Sequence, residues 1–332
     1  MVRAMWVMAM AAAFAMPMMA TSGDAARGAL QKRAEAGDAG AQVELGRALA
    51  EDGAPADKAA STAWYRKAAM AGNAEGAWQL GFATMEGAGT PRDVPAGLEW
   101  LRQSVNVSQD ADHMAALALV LANAGEDQKE AMQWAQKSVD MGSPKGMEVL
   151  GMARLFGKWG ISKDPAAAEK LLTAGAQKGD LNTQVALGKL YFSGAFGRKD
   201  ASAGMHWLQV AADRGSGEAA GFLGFLLLTG KEDVPVDATR GVALARKAMA
   251  SNAMEGHYAM GVAYVTGVGV APNPAEGWYE ISLAQRMEGT QGMASSGDYL
   301  AKAASKLTAA QLAQLKAKVD ADAAKLPAPP GS

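Results

Sequence analysis

The chain has 332 residues, 49% hydrophobic and 20% charged, with 32 basic against 34 acidic side chains and no cysteine. This supplies enough apolar material for a buried core and too little charge for a disordered chain. The balanced charge gives no field favouring nucleic acid, and the absence of thiols excludes disulfides, thiolate metal sites, cysteine nucleophiles and a lipidated N-terminal cysteine.

Residues 1–20 read MVRAMWVMAMAAAFAMPMMA. A basic start at Arg3, an apolar run from Ala4 to Phe14 and small residues after Pro17 predict a secretory signal peptide. The alternative is a membrane anchor, but Pro17 and the polar Thr21, Ser22 and Asp24 end the run short of the roughly 20 apolar residues that a span needs. Cleavage is expected after Ala20, with Ser22 and Gly23 as alternatives. No later segment is apolar enough to span, so no stable membrane insertion is expected.

From residue 34 to 288 one pattern recurs. An aspartate is followed seven residues later by Trp or Leu at Asp57/Trp64, Asp93/Trp100, Asp127/Trp134, Asp164/Leu171, Asp200/Trp207 and Asp237/Leu244. Successive aspartates lie 34 to 37 residues apart. A fixed offset at a near-fixed period marks one supersecondary unit copied along the chain. The seven units run over 34–71, 72–106, 107–141, 142–178, 179–214, 215–251 and 252–288.

Each unit predicts two helices. Helix A carries Leu45-Gly46, Leu80-Gly81, Leu150-Gly151, Leu187-Gly188, Leu223-Gly224 or the variant Met260-Gly261. Glycine costs about 1 kcal/mol against alanine inside a helix, so its retention at one phase implies a backbone contact that no Cβ would allow. Loop glycines then reverse the chain, and helix B opens at the aspartate, whose carboxylate suits an N-cap. A closing glycine follows at Gly72, Gly142, Gly179 and Gly215, with Asn252 replacing it once.

Two units depart from the pattern. The third is degenerate, with Ala115-Ala116 for Leu-Gly and Val107 for the closing glycine. The seventh has Asn273-Pro274 only five residues before Trp278, which predicts a shorter inter-helix loop. Beyond the array, 289–326 is expected to hold a linker, part of a flexible insert from Met287 to Gly297, and a C-terminal cap. Tyr299 to Lys325 reads as a helix or helix pair, with Leu300, Leu307, Leu312, Leu315 and Val319 covering the last repeat. Residues 327–332 read as a disordered tail.

The run Leu187-Gly188-Lys189-Leu190-Tyr191 through Asp200, Ala203, Trp207, Ala211-Ala212 and Gly215 resembles the Sel1-like repeat, a relative of the tetratricopeptide repeat. The resemblance covers most of the chain after the signal segment. It implies an all-α fold, a right-handed α/α superhelical solenoid of about seven helix pairs. It also implies an adaptor that binds a protein or peptide partner, here exported, in a bacterial periplasm. A regulator of a membrane sensor or envelope assembly is the second reading. Some secreted relatives are associated with penicillin binding or β-lactam hydrolysis, but those are cysteine-rich, and this chain has no cysteine.

No chemistry competes with that reading. His113, His206 and His257 sit in different units without a metal-ligand spacing, and Gly267 to Gly269 lacks the Lys-Ser/Thr of a phosphate loop. The acidic pairs Glu51-Asp52, Glu126-Asp127 and Glu232-Asp233 are expected in inter-helix loops. No catalytic residue, metal or cofactor is therefore assigned. The stripe Trp64, Trp100, Trp134, Trp207 and Trp278 is read as inter-repeat core rather than a stacking ladder. A partner can be read only by residues off the template. On helix A of the last two units, Phe222, His257 and Tyr258 are such residues and form the candidate partner-binding set; His257 and Tyr258 stand where Gln184 and Val185 stand in the fifth unit.

Overall fold

The computed structural model describes residues 22–52, 55–125, 127–288 and 296–326. The expected signal peptide, the tail and residues 289–295 of the insert lie outside the described residues. The chain divides into two compact units, 1–110 and 111–332. The first holds α1 (Ser22–Glu35) and the helix pairs α2 (Ala39–Asp52) with α3 (Pro55–Met70) and α4 (Ala74–Glu86) with α5 (Val94–Ser108). The second holds α6 (Ala111–Asn123) with α7 (Gln128–Asp140), α8 (Pro144–Phe156) with α9 (Pro165–Gln177), and α10 (Leu181–Ser193) with α11 (Ala201–Asp213). It continues through α12 (Gly217–Thr229) with α13 (Ala238–Ala250), α14 (Met254–Thr266) with α15 (Pro274–Glu288), α16 (Ser296–Ala304) and α17 (Ala309–Ala323). There is no strand among the described residues, and the expectation of an all-α array of seven helix pairs holds.

Four of the periodic aspartates start the second helix of their pair by a double hydrogen bond, while Asp127 caps α7 through the Lys129 and Glu130 amides. Asp200 Oδ1 accepts from the Ala203 amide at 2.9 Å, while the Asp200 amide donates back to the Tyr191 carbonyl of α10 at 3.1 Å. Asp93, Asp164 and Asp237 repeat both bonds, and Asn273 repeats them in the seventh pair. Each side-chain cap contributes about 1 kcal/mol. Asp57 differs, because α3 begins at Pro55 and so places Asp57 inside its first turn. Glu51 and Asp52 also differ from expectation, ending α2 rather than lying in a loop.

Close helix approach explains the Leu-Gly glycine. A Cβ on Gly188 would fall 2.8 Å from Leu208 Cγ and 3.2 Å from the Gly204 carbonyl. The partner is itself a glycine, and Gly81 with Gly97, Gly224 with Gly241 and Gly261 with Gly277 cross in the same way. The second glycine sits four residues after each cap. In the first pair its place is taken by Ser61, whose hydroxyl donates to the Gly46 carbonyl at 2.6 Å.

In α5, α9 and α11 a fully buried leucine lies one residue beyond the Trp or Leu of the stripe. Leu101, Leu172 and Leu208 are fully buried, whereas Trp100, Trp134 and Trp207 are half-buried and pack on the flanks of the core clusters. The seventh pair corrects the sequence reading. Asn273 follows Gly267 at the same step as Asp200 follows Gly194, so the loop is not shortened. Seven residues on from Asn273 comes Glu280, and Trp278 is off the stripe.

Both ends of the array carry added helices. α1 has the register of a second helix, and its Ala34 and Leu30 pack with Ala41 and Leu45 of α2. At the other end the expected cap is a helix pair, α16 against α15 and α14, and α17 against α15. Tyr279, Leu283 and Val319 form the apolar contact under α17.

Candidate functional site

Two sets of adjacent first helices share the same charge link. Arg47 on α2 pairs with Glu75 on α4, and Lys189 on α10 pairs with Glu218 on α12. These occupy the same two template positions, one after the Leu-Gly glycine and one at the start of the next first helix. Between them, at the position before Leu-Gly, stand Glu44, Gln79, Val149, Ala186, Phe222 and Ala259. Phe222 is the one aromatic residue of that series. It is half-buried, its ring edge-on to Phe192 at 6.3 Å, with the Lys189 ammonium 5.4 Å from its centre.

The structure separates the three candidate residues. Phe222 stays accessible on the α12 surface. Tyr258 is 3% exposed, which leaves it no surface to offer a partner while the fold is intact. Its ring lies 5.2 Å from Phe225 and 6.5 Å from Tyr299 of α16. The cause is backbone proximity: α12 and α14 approach so closely that a Cβ on Gly221 would fall 2.5 Å from the Glu255 carbonyl carbon. α12 is apolar around its whole circumference and correspondingly buried, as Leu223, Leu226, Leu227 and Leu228 show.

His257 is drawn inward by a residue that the sequence reading missed. Its Nδ1 lies 2.6 Å from Glu280 Oε2, with side-chain exposures of 13% and 7%. His257 holds the template position of Gln184, and Glu280 holds that of Trp207. In the fifth pair Gln184 Nε2 donates to the Ala176 carbonyl of the preceding helix. The seventh pair therefore replaces two template positions together by a buried polar pair. Counting seven residues from Asn273, rather than fixing on Trp278, would have found it.

Cations complete the surface. The Lys231 ammonium stands 5.3 Å from the Phe225 ring centre and 5.9 Å from that of Tyr299, and Lys231 has no ion pair among the described residues. Burial pushes the Tyr299 hydroxyl above its ordinary value, aided by the charge of Asp298. Phe192, Phe222, Phe225, Tyr258 and Tyr299 thus form an aromatic row across α10, α12, α14 and α16, open at Phe222 and covered at Tyr258.

A cleft of about 260 Å³ lies in the first unit, between α3, α4 and the end of α2. It is lined by Lys58, Ser61, Thr62, Tyr65, Phe82 and Glu86 among others. The Ser61 and Thr62 hydroxyls donate to the Gly46 and Ala88 carbonyls, so both are committed to the fold. Among the described residues, no group of three His, Asp or Glu side chains converges as a metal site requires. No described helix is long and apolar enough to cross a membrane.

An array of helix pairs with one recurring glycine crossing and one recurring cap defines the class: an α-helical repeat protein. The Sel1 repeat model matches seven segments, at 39–73, 74–106, 120–143, 144–180, 182–216, 217–252 and 255–279, and the chain belongs to the Sel1 repeat family. The third match begins only at residue 120, near the end of α6, in line with the degenerate Ala115-Ala116. Among solved structures, a protective antigen of uropathogenic Escherichia coli displaying an SLR fold is 25% identical, covering 92% of this chain and 68% of that one, with a TM-score of 0.65. A Sel1 repeat protein from Oxalobacter formigenes is 24% identical, covering 68% of this chain and 99% of that one, with a TM-score of 0.53. Chitin synthase regulatory factor 3 of Schizosaccharomyces pombe is 24% identical over 227 residues, which are 65% of this chain but span only 24% of that regulator. Sel1 repeat proteins generally bind protein partners.

Proposed function

We propose that this chain is an exported, non-catalytic interaction scaffold that binds a protein or peptide across the first-helix face around Phe222. One observation carries the reading: at a template position otherwise held by aliphatic, polar or acidic side chains, Phe222 presents a half-buried ring flanked by Lys189 and Glu218. A ring held by its neighbours loses little freedom on binding, and such aromatic anchors dominate interface energetics. Export into a bacterial periplasm rests on the sequence of residues 1–20 and accords with the bacterial sources of the two similar structures. A regulatory output is the second reading, favoured by the likeness to the yeast regulatory factor.

The test is affinity capture from envelope extract with the wild-type chain, Phe222→Ala and the control Ser202→Ala, an exposed site on α11. The partner is expected to be retained by wild type and control and reduced about tenfold by Phe222→Ala, a loss of more than 1 kcal/mol. Equal capture by all three chains, with unchanged helical circular dichroism, would place the interface elsewhere.

A further inference from the structure

We propose that α16 is the resident occupant of an exchangeable docking site, which accepts in its place a short amphipathic helix of the protein partner bearing an acidic residue, an aromatic residue and a leucine in succession. The proposal rests on the scaffold function above and names the chemistry that the same face would recognise.

α16 stands where a further first helix would stand. Gln285 near the end of α15 donates to the Ser296 hydroxyl at the start of α16, at 2.7 Å. Gly76 and Gly256, at the starts of α4 and α14, meet the ends of α3 and α13 in the same way. Yet α16 combines two departures from the first helices of the array, of which α6 shares only the first. Its sequence SGDYLAKAA has no Leu-Gly pair, and α17 packs against α15 rather than closing over α16. It is held instead by side chains: Tyr299 edge-on to Tyr258, Leu300 against the same cluster, and the buried Ala303. α17 adds little restraint to α16 itself, since its single buried residue, Val319, packs against Tyr279 and Leu283 of α15. Its other ties run to α15, not α16: Tyr279 to Asp322 at 2.9 Å, Arg286 to Asp320, the Lys318 ammonium 3.7 Å from the Tyr279 ring centre, and Leu315 and Ala323 against Tyr279 and Leu283.

The chain thereby displays what the site takes. Under α16 lies the ring of Tyr258, which leads through Phe225 to Phe222 along α12. Lys231 faces the Tyr299 ring with no carboxylate partner among the described residues, and the neighbouring Glu232 is paired with Lys199. Asp298 sits exposed directly before Tyr299. An incoming helix with the Asp298-Tyr299-Leu300 arrangement would fill the aromatic slot with its ring and leucine and, free of the tether that joins α16 to α15, would shift its carboxylate onto Lys231, with which Asp298 makes no ion pair among the described residues. A partner anchored on Phe222 would already lie beside the slot.

The probe is a fluorophore-labelled peptide with the sequence of Ser296–Ala304, titrated against the full chain by fluorescence anisotropy. A self-occupied site weakens apparent affinity by the fraction of time it is free, so loosening the occupant raises it. The full-length variant Tyr299→Ala/Leu300→Ala is expected to bind the peptide about tenfold more tightly than wild type. Adding Lys231→Glu is expected to reduce that gain, and a peptide carrying Tyr299→Ala is expected not to bind. Equal affinity for wild type and the loosened variant would overturn the proposal. So would loss of the helical signal or of cooperative melting in the loosened variant, because α16 would then be part of the repeat core. The titration uses no natural partner. If it fails while Phe222→Ala still abolishes capture, the scaffold function stands and α16 is a fixed cap.

Discussion

Substituting alanine for three helical glycines tests the packing of the array, because helix propensity and crowding oppose each other. Propensity alone favours alanine by about 1 kcal/mol at each position. At Gly28 in α1 a Cβ would meet nothing within 4 Å, so Gly28→Ala is expected to stabilise the chain by about 0.5–1 kcal/mol. At Gly188 the Cβ would lie 2.8 Å from Leu208 Cγ and 3.0 Å from its Cδ2, against about 3.5–4.0 Å for an ordinary carbon contact. Leu208 is fully buried and the Gly204 backbone closes the other side, so α10 and α11 must separate. Crowding of this kind costs about 1–3 kcal/mol and more when backbone must move, leaving Gly188→Ala destabilised by about 1–2 kcal/mol after the propensity gain. Gly204→Ala, with its Cβ 2.6 Å from the buried Phe192 ring, is expected to match it. Urea titration followed by far-ultraviolet circular dichroism gives the sign. Hydrogen exchange across α10 and α11 shows whether the damage stays local, as nearest-neighbour stability in a repeat array allows. Stabilisation of all three variants would refute the close approach of the paired glycines.

Three further outcomes follow from the geometry. His257→Ala and Glu280→Ala are each expected to cost about 3 kcal/mol by leaving a buried polar partner unpaired, while the double variant costs at least ~1 kcal/mol less than their sum; additive losses in denaturant titrations would show that the two do not interact. Gln42 and Gln184 both donate to the last turn of the preceding helix, but Arg214 reaches Gln184 Oε1 whereas Gln42 Oε1 has no partner. Ala71 holds the place of Arg214, so Ala71→Arg is expected to stabilise the first unit by about 0.5–1.5 kcal/mol, and an unchanged or lower melting temperature would contradict this. The Glu169 carboxyl is held below its ordinary value, chiefly by the Arg198 hydrogen bond and also by that of Tyr191. A depressed folded value means that the stabilisation is complete above the unfolded pKa of about 4.3 and is lost as pH falls through the folded one. Melting curves of Glu169→Gln should therefore fall less steeply than wild type below about pH 4, and parallel curves would remove Glu169 from the acid response.

The array was legible because independent signals, the Leu-Gly pair, the aspartate cap and the closing glycine, recur in phase. The crossing partner was equally present in the sequence, four residues after the cap at Gly97, Gly204, Gly241 and Gly277, but only the crossing itself shows why both members are glycine. α1 escaped notice because a second helix carries no Leu-Gly pair to set its phase, although Ala34 and Gly37 stand where Ala69 and Gly72 stand one unit later. Phe222 could be found as a departure from the template. The burial of Tyr258 could not, since it depends on the α12–α14 approach at Gly221 and on Tyr299 from outside the array. Trp278 hid Glu280 by supplying the expected residue type at the wrong phase. Lys189 and Lys231 gain significance only from the rings above which they stand.

The central claim is that a protein partner sits on the first-helix face at Phe222, and site-specific photo-crosslinking tests it most directly. A photoreactive aromatic amino acid would replace Phe222 in one chain and Ser202 on α11 in another, each expressed in the native host and irradiated in intact cells. The account predicts a discrete adduct of one partner from position 222 and none from position 202. Adducts at position 202 with none at 222 would contradict it and move the interface to the second-helix side.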